Sequence, residues 1–228
     1  MKPYFIKTPN WIRKLYSNFI WSFTNSKKEI YLTFDDGPTP EITEWVLEIL
    51  RKFNAKATFF CIGKNIKNHP KIFKKIIKEG HSIGNHTYNH LNGWKINNAR
   101  YIENILETNS MISNLSMDRQ GFFNHKNLNL FRPPYGKIKR RQSKELIKRG
   151  FKIIMWDVLS ADFDQSITKE KCLKNVVDAV ENGSIIIFHD SVKAEINMKY
   201  TLPKILELFD QKGFEFKTII LKRTAPPS

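Results

Sequence analysis

The chain has 228 residues, of which 41% are hydrophobic and 26% charged, and this balance fits one globular domain and excludes a disordered polypeptide. Its formal net charge of +16 favours an acidic partner (an anionic polysaccharide, an acidic membrane surface or nucleic acid), unless the lysines are simply solvated helix faces. No compact basic patch interleaved with aromatic residues and no nucleic-acid-binding motif is present, so no nucleic-acid partner is expected.

Residues 1–28 predict an N-terminal extension with one amphipathic helix. Between residues 10 and 23, large apolar side chains recur at helical spacing: Trp11, Ile12, Leu15, Tyr16, Phe19, Ile20 and Phe23. Basic residues beside the aromatics suit a helix lying on a membrane surface, and the alternative is a helix that covers one end of the domain. No apolar run reaches the length of a signal sequence or a membrane span. We therefore expect a cytoplasmic or peripheral membrane protein, with contact to a membrane or cell wall left open.

From residue 29 onward, strand-like and helix-like segments alternate. The predicted strands cover residues 29–34, 57–61, 82–84, 129–131, 152–156, 184–188 and 214–220. The predicted helices cover residues 39–50, 70–79, 98–115, 140–149, 168–182 and 202–212, and a loop is predicted over 116–127. This alternation predicts an α/β fold, either a parallel barrel or a doubly wound sheet. Cys61 and Cys172 are predicted to be buried free thiols, which favours a reducing compartment.

Titratable and polar side chains follow the carboxyl ends of several predicted strands. Barrel enzymes build their sites at this edge, so we expect these side chains to gather there. They are Asp35, Asp36, His86, His90, Arg132, Asp157, Asp162 and His189.

Asp35 and Asp36 form an adjacent pair at the end of the first strand. Neighbouring side chains on a strand point to opposite faces, so the two carboxylates can share a site only if the chain turns there. Gly37 and Pro38 supply that turn. The pair by itself is typical of an ordinary Asp-Gly turn, and the alternative is one metal ligand beside one catalytic base.

His86 and His90 are four residues apart, so both imidazoles can face one point. Two histidines and one carboxylate form a facial metal site with open positions for water and substrate. Zinc in such a site lowers the pKa of bound water to about 7. A neighbouring carboxylate could take a proton, His189 could deliver one as imidazolium, and Arg132 could pair with the carboxylate. The alternatives are a structural histidine and a surface ion pair. Together these residues predict metal-assisted hydrolysis.

Over about residues 29–220, five sequence blocks resemble those of the polysaccharide deacetylase family in the same order. The family is also known as carbohydrate esterase family four or the NodB homology domain. The resemblance implies a single-domain distorted (β/α)₇ barrel of the TIM-like type. We therefore expect a catalytic domain over 29–220, preceded by the extension 1–28 and followed by a tail over 221–228.

The resemblance also implies a role for each matching residue. In the first block, Asp35 would be the general base and Asp36 a metal ligand. In the second block, His86 and His90 would complete the site for one divalent metal, expected to be Zn²⁺ with Co²⁺, Ni²⁺ or Mn²⁺ as alternatives. The third block runs from Arg132, the partner of the base, to Tyr135, whose backbone N–H would stabilise the oxyanion. In the last block, Ile187 would line the acetyl pocket and His189 would be the general acid.

The fourth block departs from the family pattern, which has an aspartate, two variable residues, an aspartate and a tryptophan. Here Leu159 stands at the first aspartate and Phe163 at the tryptophan. The first aspartate is expected to orient the acid histidine and to favour its protonated form. Its absence is therefore expected to affect the pKa of His189 and not the metal site. Asp162 is the candidate to replace it, and Phe163 still supplies an apolar wall for a methyl group.

The implied reaction is hydrolysis of an N-acetyl, occasionally O-acetyl, group on an amino sugar, with release of acetate. Metal-bound water would attack the amide carbonyl, and the carbon–nitrogen bond of this amide, which is not a peptide bond, would break. The expected partner is an N-acetylated glycan: chitooligosaccharide, peptidoglycan or another surface polysaccharide. One alternative is hydrolysis of a small non-peptide amide. Another is a catalytically weak glycan-binding protein, which would have no need of the intact set Asp35, Asp36, His86, His90 and His189.

Overall fold

The computed structural model describes residues 4–24, 27–116 and 129–221. The loop predicted over 116–127 lies outside these ranges except for its first residue, and so does the tail predicted over 221–228. No helix in the described ranges is both long enough and apolar enough to cross a membrane. The domain boundaries at residues 28 and 220 stay predictions.

A parallel sheet forms the centre of the molecule. Its strands are β1 (Glu29–Asp35), β2 (Ala57–Cys61), β3 (Ser82–Asn85), β4 (Leu130–Phe131), β5 (Lys152–Ile153), β6 (Val158–Leu159), β7 (Ile185–His189) and β8 (Glu215–Phe216). The order across the sheet is β5-β4-β3-β2-β1-β7-β6, and β8 pairs with the first residues of β1. β1, β2 and β7 are apolar runs buried on both faces, as strands in a sheet covered by helices must be.

The helices that follow β1 connect strands and pack against the sheet, whereas the first helix precedes β1. The helices are α1 (Asn10–Leu15), α2 (Ile42–Lys52), α3 (Gly63–Asn68), α4 (Pro70–Lys78), α5 (Asn98–Ser116), α6 (Arg140–Lys148), α7 (Lys169–Val177) and α8 (Glu195–Gln211). The largest apolar cluster joins α2, α4 and α8 to β1, β2 and β7. The curled parallel sheet with its surrounding helices confirms the predicted distorted barrel.

The N-terminal segment, residues 4–24, lies along both outer strands of this sheet, β5 and β6. On the β5 side, the Ile20 N–H donates to the Ile153 carbonyl at 2.9 Å and the Met155 N–H donates to the Ile20 carbonyl at 2.7 Å. On the β6 side, the Leu159 N–H donates to the Ile6 carbonyl at 2.8 Å. The segment therefore caps backbone groups that an exposed edge strand would leave unpaired.

These edge contacts explain why the N-terminal helix is shorter than predicted. Helical spacing predicted one helix through residue 23, yet α1 ends at Leu15, and Ile20 and Ser22 form single β-bridges to Ile154 and Ser184. None of the α1 residues is buried. Pairing with distant strands decides the conformation here, and local periodicity does not report such pairing.

Other element boundaries also differ from the predictions. α7 ends at Val177 instead of about 182, and α8 begins at Glu195 instead of 202. α8 includes Pro203 in its interior and continues through it. The last predicted strand, 214–220, shortens to β8. The helix α3 and the strand β6 were not predicted at all.

Candidate active site and metal centre

The predicted site residues converge at the carboxyl ends of the central strands. In the parallel registers, Asp35 of β1 lies beside Phe60 of β2 and His189 of β7. Asn85 ends β3 and is the register partner of Phe131, which immediately precedes Arg132. Four chain segments therefore deliver Asp35, His86, Arg132 and His189 to one edge, because parallel strands end together.

Asp157 is the exception to the strand-end prediction. The strand predicted over 152–156 stops at Ile153, and Asp157 begins the approach to β6. Its Oδ2 accepts hydrogen bonds from Lys7 Nζ at 2.8 Å and from Ser184 Oγ at 2.6 Å, and its Oδ1 pairs with Arg13. Ser184 precedes β7, so Asp157 lies at the opposite end of the sheet from His189. It holds the N-terminal segment and takes no part in the site.

A sharp turn brings the second carboxylate of the Asp35-Asp36 pair into the site. Asp36 has a φ of 84°, a left-handed conformation that aspartate tolerates better than most residues. Asn65 Nδ2 donates to the Asp36 carbonyl at 2.7 Å and holds this turn. Asp35 is buried inside the sheet, whereas the Asp36 side chain is 23% exposed. The turn that Gly37 and Pro38 predicted therefore exists.

Two asparagines shape the loop that carries the histidine pair. Asn85 Oδ1 accepts from the Thr87 N–H at 2.9 Å. Asn104 Oδ1, on α5, accepts from the Tyr88 N–H at 2.8 Å and from the Asn89 N–H at 3.1 Å. These bonds satisfy loop amides that no strand or helix pairs, and they fix the path between His86 and His90.

Asp36, His86 and His90 form a cluster with the composition of a metal site. One ligand atom from each lies within 4.8 Å of the others. Asp36 Oδ1 is 3.3 Å from His90 Nε2 and 3.8 Å from His86 Nε2. The same oxygen is buried without a hydrogen-bond partner among the described residues, an arrangement that is costly unless a cation or water satisfies it.

The imidazoles are held in the state that metal binding requires. His86 Nδ1 lies 2.8 Å from the Arg132 carbonyl, so Nδ1 carries the proton and the Nε2 lone pair faces the cluster. His90 Nδ1 lies 3.1 Å from Tyr135 Oη. Burial, reinforced by the neighbouring His90, lowers the pKa of His86 well below its usual value, and burial also lowers the pKa of His90. The donor set therefore fits a divalent metal such as zinc.

Arg132 and Asp35 form a fully buried ion pair. Arg132 Nη1 donates to Asp35 Oδ1 and to Thr33 Oγ1, both at 2.7 Å, and Nη2 donates to the Met155 carbonyl at 2.8 Å. The guanidinium also stacks over Phe60, 4.1 Å from the ring centroid. This is no surface ion pair, and it fixes one oxygen of Asp35 while Oδ2 faces His86 Nε2 at 3.7 Å.

His189 and Asp162 form a second buried pair. His189 Nδ1 lies 2.8 Å from Asp162 Oδ1, and the His189 N–H donates to Asp162 Oδ2 at 2.7 Å. Burial alone would lower the pKa of His189, but the carboxylates of Asp162, foremost, and of Asp36 and Asp35 together outweigh burial and raise this pKa to about 9. Leu159 instead packs in an apolar cluster with Ala161 and Ile187. Asp162 therefore supplies His189 with the carboxylate contact that was expected from the first aspartate of the block.

The remaining predicted residues surround this edge. Tyr135 has a φ of 61°, and its exposed side chain packs against the His90 ring, with centroids 4.6 Å apart. The Phe163 ring contacts the His189 ring edge-on at 5.1 Å, and Ile187 is buried in β7 below them. The structure thus gathers every predicted site residue except Asp157, while the catalytic roles given to them stay predictions.

Asp190 helps to hold the turn after Asp36, and the sequence analysis did not identify it. It is fully buried, and its Oδ1 accepts from the Gly37 N–H at 2.9 Å while its Oδ2 accepts from Thr43 Oγ1 at 2.5 Å. A Cβ at position 37 would overlap the Asp190 carboxylate, so this approach requires glycine. Burial raises the pKa of Asp190 to about 8. A carboxylate directly after His189, at the end of an apolar strand, was the available signal.

The chain is similar to known proteins over most of its length. The family model described as polysaccharide deacetylase matches residues 23–154. A peptidoglycan-N-acetylglucosamine deacetylase of Bacillus cereus is 35% identical over 211 residues, which cover 92% of this chain and 73% of that protein. A chitooligosaccharide deacetylase of Azorhizobium caulinodans is 31% identical over 205 residues, covering 90% of each protein.

A solved structure gives the same result for the fold. The crystal structure of the Bc1960 peptidoglycan N-acetylglucosamine deacetylase superposes with a TM-score of 0.81 at 34% sequence identity, covering 93% of this chain and 95% of that one. The chain therefore belongs to the polysaccharide deacetylase family of hydrolases.

Proposed function

We propose that this protein is a metal-dependent deacetylase that hydrolyses N-acetyl groups on the amino sugars of a glycan. The observation that carries the proposal is the Asp36, His86 and His90 cluster. It lies at the edge of the sheet that also carries the base candidate Asp35 and the acid candidate His189. The names of the relatives support N-acetylglucosamine units in peptidoglycan or chitooligosaccharide as the first substrates to test.

Asp36, His86 and His90 would hold the metal. Two imidazoles and one carboxylate suit Zn²⁺ and also Co²⁺, Ni²⁺ and Mn²⁺. When bound, a divalent metal polarises the carbonyl and lowers the pKa of water.

One buried pair accepts a proton and the other donates one. Asp35, oriented by Arg132, takes a proton from the water that attacks the acetyl carbonyl. The Tyr135 N–H donates a hydrogen bond to the oxygen that becomes negatively charged. His189, charged and oriented by Asp162, gives its proton to the departing amine nitrogen as the C–N bond breaks. Acetate and a free amino sugar leave.

The direct test is an acetate-release screen with the metal-loaded protein. Chitooligosaccharides, peptidoglycan fragments and a small non-peptide amide are incubated in parallel, and acetate is measured enzymatically. We expect release from at least one N-acetylated glycan. Release from the small amide alone would show that the substrate class is wrong, and release from none would favour a glycan-binding protein.

Replacing Asp162 with asparagine is expected to change the pH profile. Asp162 is the main cause that raises the pKa of His189, and the acid must be protonated to act, so kcat/KM falls as the pH rises through that pKa. In Asp162→Asn the alkaline limb should therefore move to lower pH. Each pH unit of movement lowers kcat/KM above the limb by about tenfold. Profiles of kcat/KM from pH 5 to 10 measure the position of the alkaline limb. An alkaline limb at the wild-type position would show that Asp162 does not set the pKa of His189.

A further inference from the structure

Residues 4–8 run beside β6, the outer strand nearest to the acid histidine. The Leu159 N–H donates to the Ile6 carbonyl at 2.8 Å, and the Thr8 N–H donates to the Asp157 carbonyl at 2.9 Å. Lys7 forms an antiparallel bridge with Val158, and its Nζ lies 2.8 Å from Asp157 Oδ2. Main-chain pairing and a partly buried ion pair therefore hold this segment against the central sheet.

Tyr4 begins this segment and reaches towards the site. Its Oη donates to Asp164 Oδ2 at 2.8 Å, and Asp164 is itself buried. The Tyr4 ring meets the Phe163 ring edge-on, with centroids 5.9 Å apart and an interplanar angle of 67°. Phe163 in turn meets the His189 ring at 5.1 Å and 77°. Ring contacts therefore connect Tyr4 to His189 through Phe163.

Both departures from the family's fourth block lie in the apolar cluster that Tyr4 joins. Leu159, Ala161 and Ile187 form its buried centre, and Tyr4, Ile6 and Phe163 pack against it. The family pattern has tryptophan at the position of Phe163, and phenylalanine is the smaller ring. Interiors are packed to high density, so a smaller wall needs another side chain behind it.

We propose that Tyr4 is a positioning residue that holds Phe163 against His189 and thereby sets the size of the acyl pocket. It fills space that a tryptophan at position 163 would occupy. The inference rests on the proposed function, because Phe163 and Ile187 are taken to surround the acetyl methyl group. Without the Tyr4 ring, Phe163 can move away from His189, and the pocket should then admit a longer acyl chain.

The test compares N-acetyl with N-butyryl chitooligosaccharide. In Tyr4→Ala we expect the ratio of kcat/KM for acetyl over butyryl to fall about tenfold or more, since pockets discriminate about 10–200-fold per methylene. Tyr4→Phe keeps the ring and should retain most of the ratio. The double variant Tyr4→Ala with Phe163→Trp should restore it, because the larger ring refills the space. Phe5→Ala, in the same segment but 56% exposed, is the matched control and should leave the ratio unchanged.

Restoration by Phe163→Trp distinguishes positioning from a general loss of folding, because a misfolded N-terminus would not be repaired at residue 163. An unchanged ratio in Tyr4→Ala, or a double variant no better than the single one, would overturn the inference. If the unmodified protein releases acetate from none of the glycans in the acetate-release screen, the proposed function fails separately. Ligand-observed NMR with acetate and butyrate then measures the pocket without turnover, and Tyr4→Ala must still shift preference towards butyrate.

Discussion

Replacing Asp35 with asparagine is expected to lower deacetylation by about 10²–10⁴-fold, the range that general base catalysis contributes, while metal binding persists. The amide cannot accept the proton from water. Its carbonyl oxygen can still accept from Arg132 Nη1, which now bonds Asp35 Oδ1 at 2.7 Å. Asp35 is not among the residues of the metal cluster. Acetate release and metal content, measured on the same preparation, check both halves of the prediction.

The stability of this variant needs its own control, because Arg132 is fully buried. Removing one partner of a buried ion pair costs about 3–5 kcal/mol, although the asparagine keeps the hydrogen bond. Glu79→Gln makes the same chemical change in the ion pair with Arg51, 2.7 Å long and remote from the site. It should unfold near the wild-type temperature and keep full activity. An Asp35→Asn protein that still deacetylates at the wild-type rate would exclude Asp35 as the base.

Replacing Asp36 with alanine should produce the opposite pattern, the loss of both metal and turnover. Asp36 Oδ1 is the carboxylate oxygen that faces His86 and His90, and it has no hydrogen-bond partner within the described ranges. Loss of an outer-shell partner typically weakens metal binding about 10–100-fold, and loss of a direct ligand should exceed that. Zinc titration and elemental analysis measure the change.

The fold should survive Asp36→Ala, since the side chain is partly exposed and makes no buried ion pair comparable to that of Asp35. Thermal unfolding in the presence of chelator should fall only slightly below that of the chelated wild type, because alanine tolerates the φ of 84° at this position less well than aspartate. Stoichiometric metal binding with unchanged affinity would contradict the assignment of Asp36. Two adjacent aspartates should thus differ in one respect: the first variant retains the metal, and the second does not.

Much of this site follows from strand ends alone. β2 has its predicted limits, and β1 extends one residue further than predicted, because apolar runs ending in Asp or Gly give strong local signals. The same reasoning predicted the wrong position for Asp157. The chain leaves β5 early and enters a two-residue strand, too short for periodicity to detect, which puts this residue at the opposite edge.

The N-terminal segment could not be predicted for a different physical reason. Its aromatics have helical spacing, yet its backbone pairs with β5 and β6, strands more than a hundred residues away in sequence. Such pairing depends on which edges the finished sheet leaves open. The sequence named Asp162 as the candidate to replace the missing aspartate, but its 2.8 Å contact with His189 Nδ1 depends on how the loop after β6 folds back onto β7.

The central claim is that Asp36, His86 and His90 hold a metal needed for deacetylation of an N-acetylated glycan. The most direct measurement is acetate release from N-acetylated chitooligosaccharide or peptidoglycan by protein stripped with chelator and then titrated with Zn²⁺. We expect release to be lost on stripping and to return in proportion to bound metal, saturating near one per chain. Undiminished release by the stripped protein, or reloading without any release, would contradict the claim.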